Sequence, residues 1–98
     1  MTTSKSPTTF KVNINHTVAV ADSSAANSSA FASETREVRI VCTVDAYVEF
    51  GSSPTAASGS LIVPAYTPEY FRVAPGTKVA FLRVGSVTGT ARITELTQ

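Results

Sequence analysis

His16 and Cys42 are the sole histidine and the sole cysteine of this sequence, so thiol chemistry assisted by an imidazole would have to use that pair. Such chemistry requires the thiol close to the ring, a third group to orient the ring, and a positive setting such as a helix N-terminus to hold the thiolate. The surrounding pattern offers none of these. His16 shares its parity with Phe10, Val12, Ile14, Val18 and Val20, and Cys42 shares its parity with Val38, Ile40, Val44, Ala46, Val48 and Phe50. A period of two marks half-buried strands, so His16 is expected in a core or turn position and Cys42 as a small buried hydrophobe. Serines are plentiful, yet no G-x-S-x-G turn and no second histidine accompany them.

Other chemistries fare no better. One Cys and one His cannot close a zinc site, and Asp22, Asp45 and the scattered glutamates lack the spacing of a calcium loop. Neither G-x-x-x-x-G-K-[ST] nor G-x-G-x-x-G is present to cradle phosphates. We therefore assign no catalytic, cofactor-binding or metal-binding residues and expect a chain without enzymatic activity, cofactor or small-molecule substrate. Glu34 and Glu37 beside Arg36 and Arg39 read as a solvated strand face with cross-strand ion pairs. The sequons at Asn15 and Asn27 are expected to be accidental.

Lysine and arginine number 8 against 7 aspartates and glutamates, for a net charge of +1. With no basic run to follow a phosphate backbone, nucleic acid is not an expected partner. Only 15% of residues are charged, against about 25% in typical domains, and Ser, Thr and Ala take their place. Such a neutral, hydroxyl-rich exterior suits a molecule that ends docked on a larger surface. The most interface-like segment is Tyr66-Thr67-Pro68-Glu69-Tyr70-Phe71-Arg72, since Tyr and Arg are enriched where proteins touch. The candidate contact residues are Tyr66, Pro68, Glu69, Tyr70 and Arg72, together with Pro54 in the Gly51 to Ser60 loop and Lys5, Pro7 and Thr9 near the N-terminus. The bland reading of the same cluster puts Phe71 in the core, with Tyr66 and Tyr70 covering one end of a sandwich. Sugar stacking is the weaker use of these tyrosines, because the sequence has no Trp.

The elements that would position these residues are strands. Met1 to Thr9, polar and carrying Pro7, reads as a flexible arm without the apolar core of a signal peptide, and residues 10–98 as one domain. No membrane span is expected. Phe10 to Val20 is a strand, or two short ones if Asn15 and His16 turn the chain. Asp22 to Ala30 is a loop with room for one helical turn. Glu34 to Thr43 and Val44 to Phe50 are strands separated near Thr43 and Asp45, and Gly51 to Ser60 is a long exposed loop. Leu61 to Val63, stopped by Pro64, is a strand pushed to an edge or to an early end, and Tyr70 to Val73 another short one. Ala74-Pro75-Gly76-Thr77 fits a type II turn joining two antiparallel strands. Lys78 to Val84, apolar on nearly both sides, is central or interfacial, and Thr90 to Leu96 follows the Gly85 to Gly89 turn. The fold class expected is all-β, a small antiparallel β-sandwich or jelly-roll-like barrel of about seven or eight strands.

The stretch Val38 to Phe50, then Gly51-Ser52-Ser53-Pro54-Thr55-Ala56, Leu61-Ile62-Val63-Pro64-Ala65, Pro68-Glu69-Tyr70-Phe71-Arg72-Val73 and Pro75-Gly76-Thr77-Lys78-Val79-Ala80, resembles small accessory proteins of tailed-bacteriophage virions. The resemblance runs from about Arg36 to Leu96 and rests on turn and strand signatures, with no catalytic residues to carry over. It implies a capsid decoration or cement protein that bridges major capsid protein subunits, or a head-tail connector or tail accessory protein. It also implies synthesis in the host bacterial cytoplasm, residence in the virion and assembly as a homo-oligomer on other virion proteins. A carbohydrate- or host-surface-binding module carried on the virion is the alternative from another functional class.

Overall fold

The computed structural model describes residues 11–97, and every regular element among them is a strand. In chain order these are β1 (Lys11–Val20), β2 (Ala25–Ala26), β3 (Glu37–Cys42), β4 (Ala46–Gly51), β5 (Leu61–Val63), β6 (Glu69–Arg72), β7 (Lys78–Arg83) and β8 (Gly89–Thr97). They form two four-stranded sheets, ordered β1-β8-β3-β6 and β2-β7-β4-β5. All strand pairings are antiparallel. The arm assigned to Met1 to Thr9, with Lys5, Pro7 and Thr9, lies outside the described residues.

The pairings have a simple origin. β1 pairs with β8, β2 with β7, β3 with β6 and β4 with β5, as in one long antiparallel ribbon whose turn is the β4–β5 connection. Rolling that ribbon brings β3 beside β8 and β4 beside β7, which supplies the two remaining ladders. Both sheets stay open, with β1 and β6 as edges of one and β2 and β5 as edges of the other. A single parallel bridge between Cys42 and Ala65 ties the start of the β5–β6 connection to the end of β3.

Alternation decides which side of each strand is buried. Val18, Val20, Val38, Ile40, Cys42, Ala91 and Ile93 of the first sheet meet Ala46, Val48, Val63, Val79 and Phe81 of the second in one core, closed by Phe31 from the β2–β3 connection. β7 is central, as its two apolar sides require: Val79 and Phe81 face the core, and Ala80 on the opposite side is also fully buried.

Of the two readings of Phe10 to Val20 the single strand holds, because Asn15 and His16 stay in register with β8, opposite Thr94 and Ile93, while other expectations need correction. A bulge between Val12 and Ile14 takes up the irregularity instead. Asp22 to Ala30 holds no helical turn but the short β2. Asn27 fixes its path from a buried position: its Oδ1 accepts from Val79 N–H at 2.8 Å while its Nδ2 donates to Ser29 O at 2.5 Å. The amide thus extends the ladder where the backbone leaves it, and in the folded chain this Asn is closed to modification. Gly76 adopts φ 80°, the left-handed conformation a type II turn needs. The turn does not close a hairpin, however, for β6 and β7 lie in different sheets. The Gly51 to Ser60 loop is not wholly exposed either. Ala56 is buried and donates its N–H to Ser24 Oγ at 2.9 Å beside β2, so the segment reaches across the outer side of its sheet.

Gly89 opens β8 where the β3–β4 turn presses on it. A Cβ there would stand 2.5 Å from Thr43 Oγ1 and 2.7 Å from Val44 Cγ2, closer than side chains approach. Gly89→Ala is expected to lower the unfolding free energy by about 1–3 kcal/mol. Gly85→Ala, with nothing within 4 Å, should leave the urea midpoint nearly unchanged. Equal midpoints for the two variants would contradict the close approach.

Candidate functional site

One titratable pair meets inside the molecule, His16 and a carboxylate the sequence did not mark. Glu95 falls on the inward parity of β8 with Ala91 and Ile93 and is fully buried. Its Oε2 accepts from His16 Nε2 at 2.5 Å, and its Oε1 accepts from the Thr35 hydroxyl at 2.5 Å and from Ala32 N–H at 3.0 Å. His16 also stands edge-on to Phe31, centroids 6.1 Å apart. Burial by itself would push the Glu95 carboxyl up; the Thr35 hydroxyl, the His16 ring and the Ala32 amide outweigh it, aided by the imidazole charge, and the carboxyl is held below its ordinary value. Both His16 and Glu95 carry the parity of the apolar residues around them, and that was the available signal. It could not be read as a pair, because 79 residues separate them.

Chemically the cluster is a clamp. The imidazole and the hydroxyl both donate to the same carboxylate, so neither prepares the other for attack, and the carboxylate and hydroxyl are fully enclosed. Cys42 belongs elsewhere on the inner face, in the row Val18–Ala91–Cys42, whereas His16 lies in the row His16–Ile93–Ile40. Two strand spacings and one inward step separate them by about 12 Å, so they do not form the thiol–imidazole pair considered from the sequence. Burial pushes the Cys42 thiol up to about 11, which leaves it protonated at neutral pH.

The ion pairs expected among Glu34, Arg36, Glu37 and Arg39 are not formed. Among the described residues the ion pair is His16 with Glu95. Arg36, just before β3, turns back to donate to Ser33 O at 2.8 Å and Thr35 O at 3.4 Å, while Glu37 and Arg39 sit two apart on one strand and face other residues across it.

The predicted contact cluster is divided by the fold. Tyr66 lies on the corner that carries the chain from β5 to β6; it is 73% exposed at φ 57°, and its N–H donates to Cys42 O at 2.7 Å. A left-handed tyrosine costs on the order of 1 kcal/mol, offset here by that hydrogen bond and by Ala65 N–H donating to Asp45 Oδ1 at 2.8 Å. Pro68 is exposed beside it. On β6, Tyr70 and Arg72 point outward, opposite Arg39 and Glu37, while Glu69 and Phe71 turn to the inner side. Phe71 packs on Phe50 with centroids 5.1 Å apart. Pro54 is half-buried in the loop over the other sheet and does not join them. Sequence reasoning missed Leu61 and Ile62, about half exposed on edge strand β5, and Val87, 65% exposed at the same end of the molecule as Tyr66. An open hollow of about 330 Å³ lies between the turns at that end, lined by Thr43, Val44, Asp45, Ala65, Gly85, Ser86 and Val87.

Because folding lowers the Glu95 pKa, the clamp's contribution is present above the unfolded value near ~4.3 and is lost as pH falls through the folded value. Glu95→Gln should therefore flatten the acid limb of stability against pH. His16→Ala, which removes a donor from a buried carboxylate, should cost about 3 kcal/mol at neutral pH by urea titration; an unchanged acid limb and midpoint would contradict the clamp. Cys42 should react with a thiol reagent only at the rate of unfolding, and rapid labelling of the native protein would contradict its burial.

Compared with protein-family models, curated protein sequences and solved structures, the chain matches none.

Proposed function

We propose that this chain is a non-enzymatic structural protein of a bacteriophage virion, a capsid decoration or cement protein that bridges major capsid protein subunits and stabilises the head. The observation that carries the reading is the strand pairing. Partners β1–β8, β2–β7, β3–β6 and β4–β5, rolled into orders 1-8-3-6 and 2-7-4-5, are those of an eight-stranded jelly-roll sandwich, an architecture that recurs in viral capsid and lectin domains. One fold serves many functions, so the choice between those uses turns on the surface. Leu61, Ile62, Tyr66 and Val87 expose apolar side chains on one edge strand and two turns, and a backbone corner holds Tyr66 outward against its steric preference. A protein neighbour would cover such groups, and the open edges of β5 and β6 would be protected in a homo-oligomer or against a capsid subunit.

A lectin-like module on the virion is the second reading, favoured by the exposed tyrosines Tyr66 and Tyr70. Head-tail connector and tail accessory roles share the contact chemistry of a cement protein and differ in location.

Purified particles are expected to contain the chain in many copies distributed over the head. Tyr66→Ala is expected to weaken particle binding by at least about tenfold, as loss of an interface anchor does, with the thermal midpoint of the free protein preserved. Copies confined to one vertex or the tail would replace the cement role with a connector or tail role. Recovery of the folded chain from infected cells but never in particles would overturn the proposal, as would a glycan affinity lost in the variant while capsid occupancy stays the same.

A further inference from the structure

The two sheets present very different outer faces. That of β2-β7-β4-β5 is partly covered by the chain's own 52–60 segment, which buries Ala56 and places Ser60 Oγ on Glu49 Oε1 at 2.8 Å. Among the described residues no loop segment covers the outer face of β1-β8-β3-β6 in this way, and register defines its contents. Arg72 stands opposite Glu37, Arg39 is flanked by Tyr70 and Thr94, and Arg92 is flanked by Val41 and Thr17. Arg72, Arg39 and Arg92 therefore form a diagonal stripe across three strands, each step about 7–8 Å. Among the described residues none of the three closes an ion pair with a carboxylate. Glu37, the acidic residue of this face, lies level with Arg72 without pairing to it. Asn15, Thr17, Ala19, Thr90, Thr94 and the buried Leu96, level with Glu37, take other outward positions, with Thr94 Oγ1 donating to Asn15 Oδ1 at 2.7 Å.

We propose that this face is a docking surface for an acidic protein surface, its arginine stripe taking the partner's carboxylates. Charge complementarity selects the occupant. Guanidinium groups receive carboxylates through paired N–H donors, and Arg with Tyr on a flat hydroxyl-rich sheet is the composition of a protein contact. A single-stranded nucleic acid would need aromatic rings under successive bases and a strongly positive molecule to draw it in. This face offers Tyr70 alone on its β6 edge, and the whole chain carries a net charge of only +1. The inference concerns a different surface from the Tyr66 corner and stands whether or not the partner is a capsid subunit.

The test is binding of the full chain to a fluorescent poly-glutamate peptide, with oligothymidylate as the competing probe, at low salt and at roughly 0.15 M salt. The peptide is expected to bind at low salt and to weaken as salt rises. Replacing Arg39, Arg72 and Arg92 together by Gln should weaken it about tenfold to a hundredfold, whereas Arg83→Gln, on the other sheet, should leave it unchanged. Arg92→Glu, at an exposed position, repeats the test with least risk to folding, and thermal melting confirms that each variant is folded. Absence of peptide binding at low salt, equal weakening by Arg83→Gln, or tighter binding of oligothymidylate would each overturn the proposal.

Discussion

A buried carboxylate organises this molecule. Glu95 on the last strand holds His16 of the first strand and, through Ala32 and Thr35, the connection that leads into β3. Those pieces are far apart in sequence and are otherwise joined by strand ladders, by Arg36 N–H donating to Leu96 O at 3.4 Å and by Phe31 in the core. A charge enclosed among apolar side chains is costly unless its lone pairs are met by donors. Here three donors meet it, and among the described residues no buried side-chain nitrogen or oxygen lacks a partner. The cost of the charge becomes a requirement for geometry: β1 must lie in this register, with the 31–36 segment over this end of the core, or the carboxylate is stranded.

The same constraint bears on function. The His16 ring and the Thr35 hydroxyl, groups that elsewhere do acid–base or nucleophilic work, are committed here to the clamp, and Cys42 is sealed away with its proton. Two surfaces stand out for different physical reasons. The β5 edge and the Tyr66 corner are apolar, and Tyr66 is held outward at a backbone cost. The outer face of the β1-β8-β3-β6 sheet is largely polar and carries three arginines against one glutamate. An apolar corner and a charged face on one small scaffold suit a molecule that touches more than one neighbour.

Much of the fold could be read before any coordinates, because period-two patterns in Val38 to Phe50 and His16 to Val20 state both the strand and its buried side, although Ile14, of the same parity, is exposed. Pro64 and Gly76 marked a strand end and a turn for reasons of backbone geometry alone. Asn15 and His16 look like turn formers, which left one strand or two open; the cross-strand partners Thr94 and Ile93 and the Glu95 carboxylate keep them extended. The failures have equally local causes. The Ala74 to Thr77 turn has hairpin chemistry, yet the rolled ribbon sends its two strands to different sheets. Ala56 disappears beneath its own loop through a hydrogen bond to Ser24, a contact with no trace in loop composition. As for the contact residues, strand alternation separated Tyr70 and Arg72 from Glu69 and Phe71, a division already implicit in the sequence. The arginine stripe required register, which the sequence does not print.

Residue-resolved amide hydrogen exchange, followed as pH is lowered toward the Glu95 transition, tests the clamp most directly. If Glu95 binds the first strand, the last strand and the 31–36 segment into one cooperative unit, amides of His16 to Val20 and of Ala32 and Thr35 lose protection together, ahead of those in β4 and β7. Continued protection of the 31–36 amides while β1 exchanges freely, or loss of protection uniform across both sheets, would contradict the account.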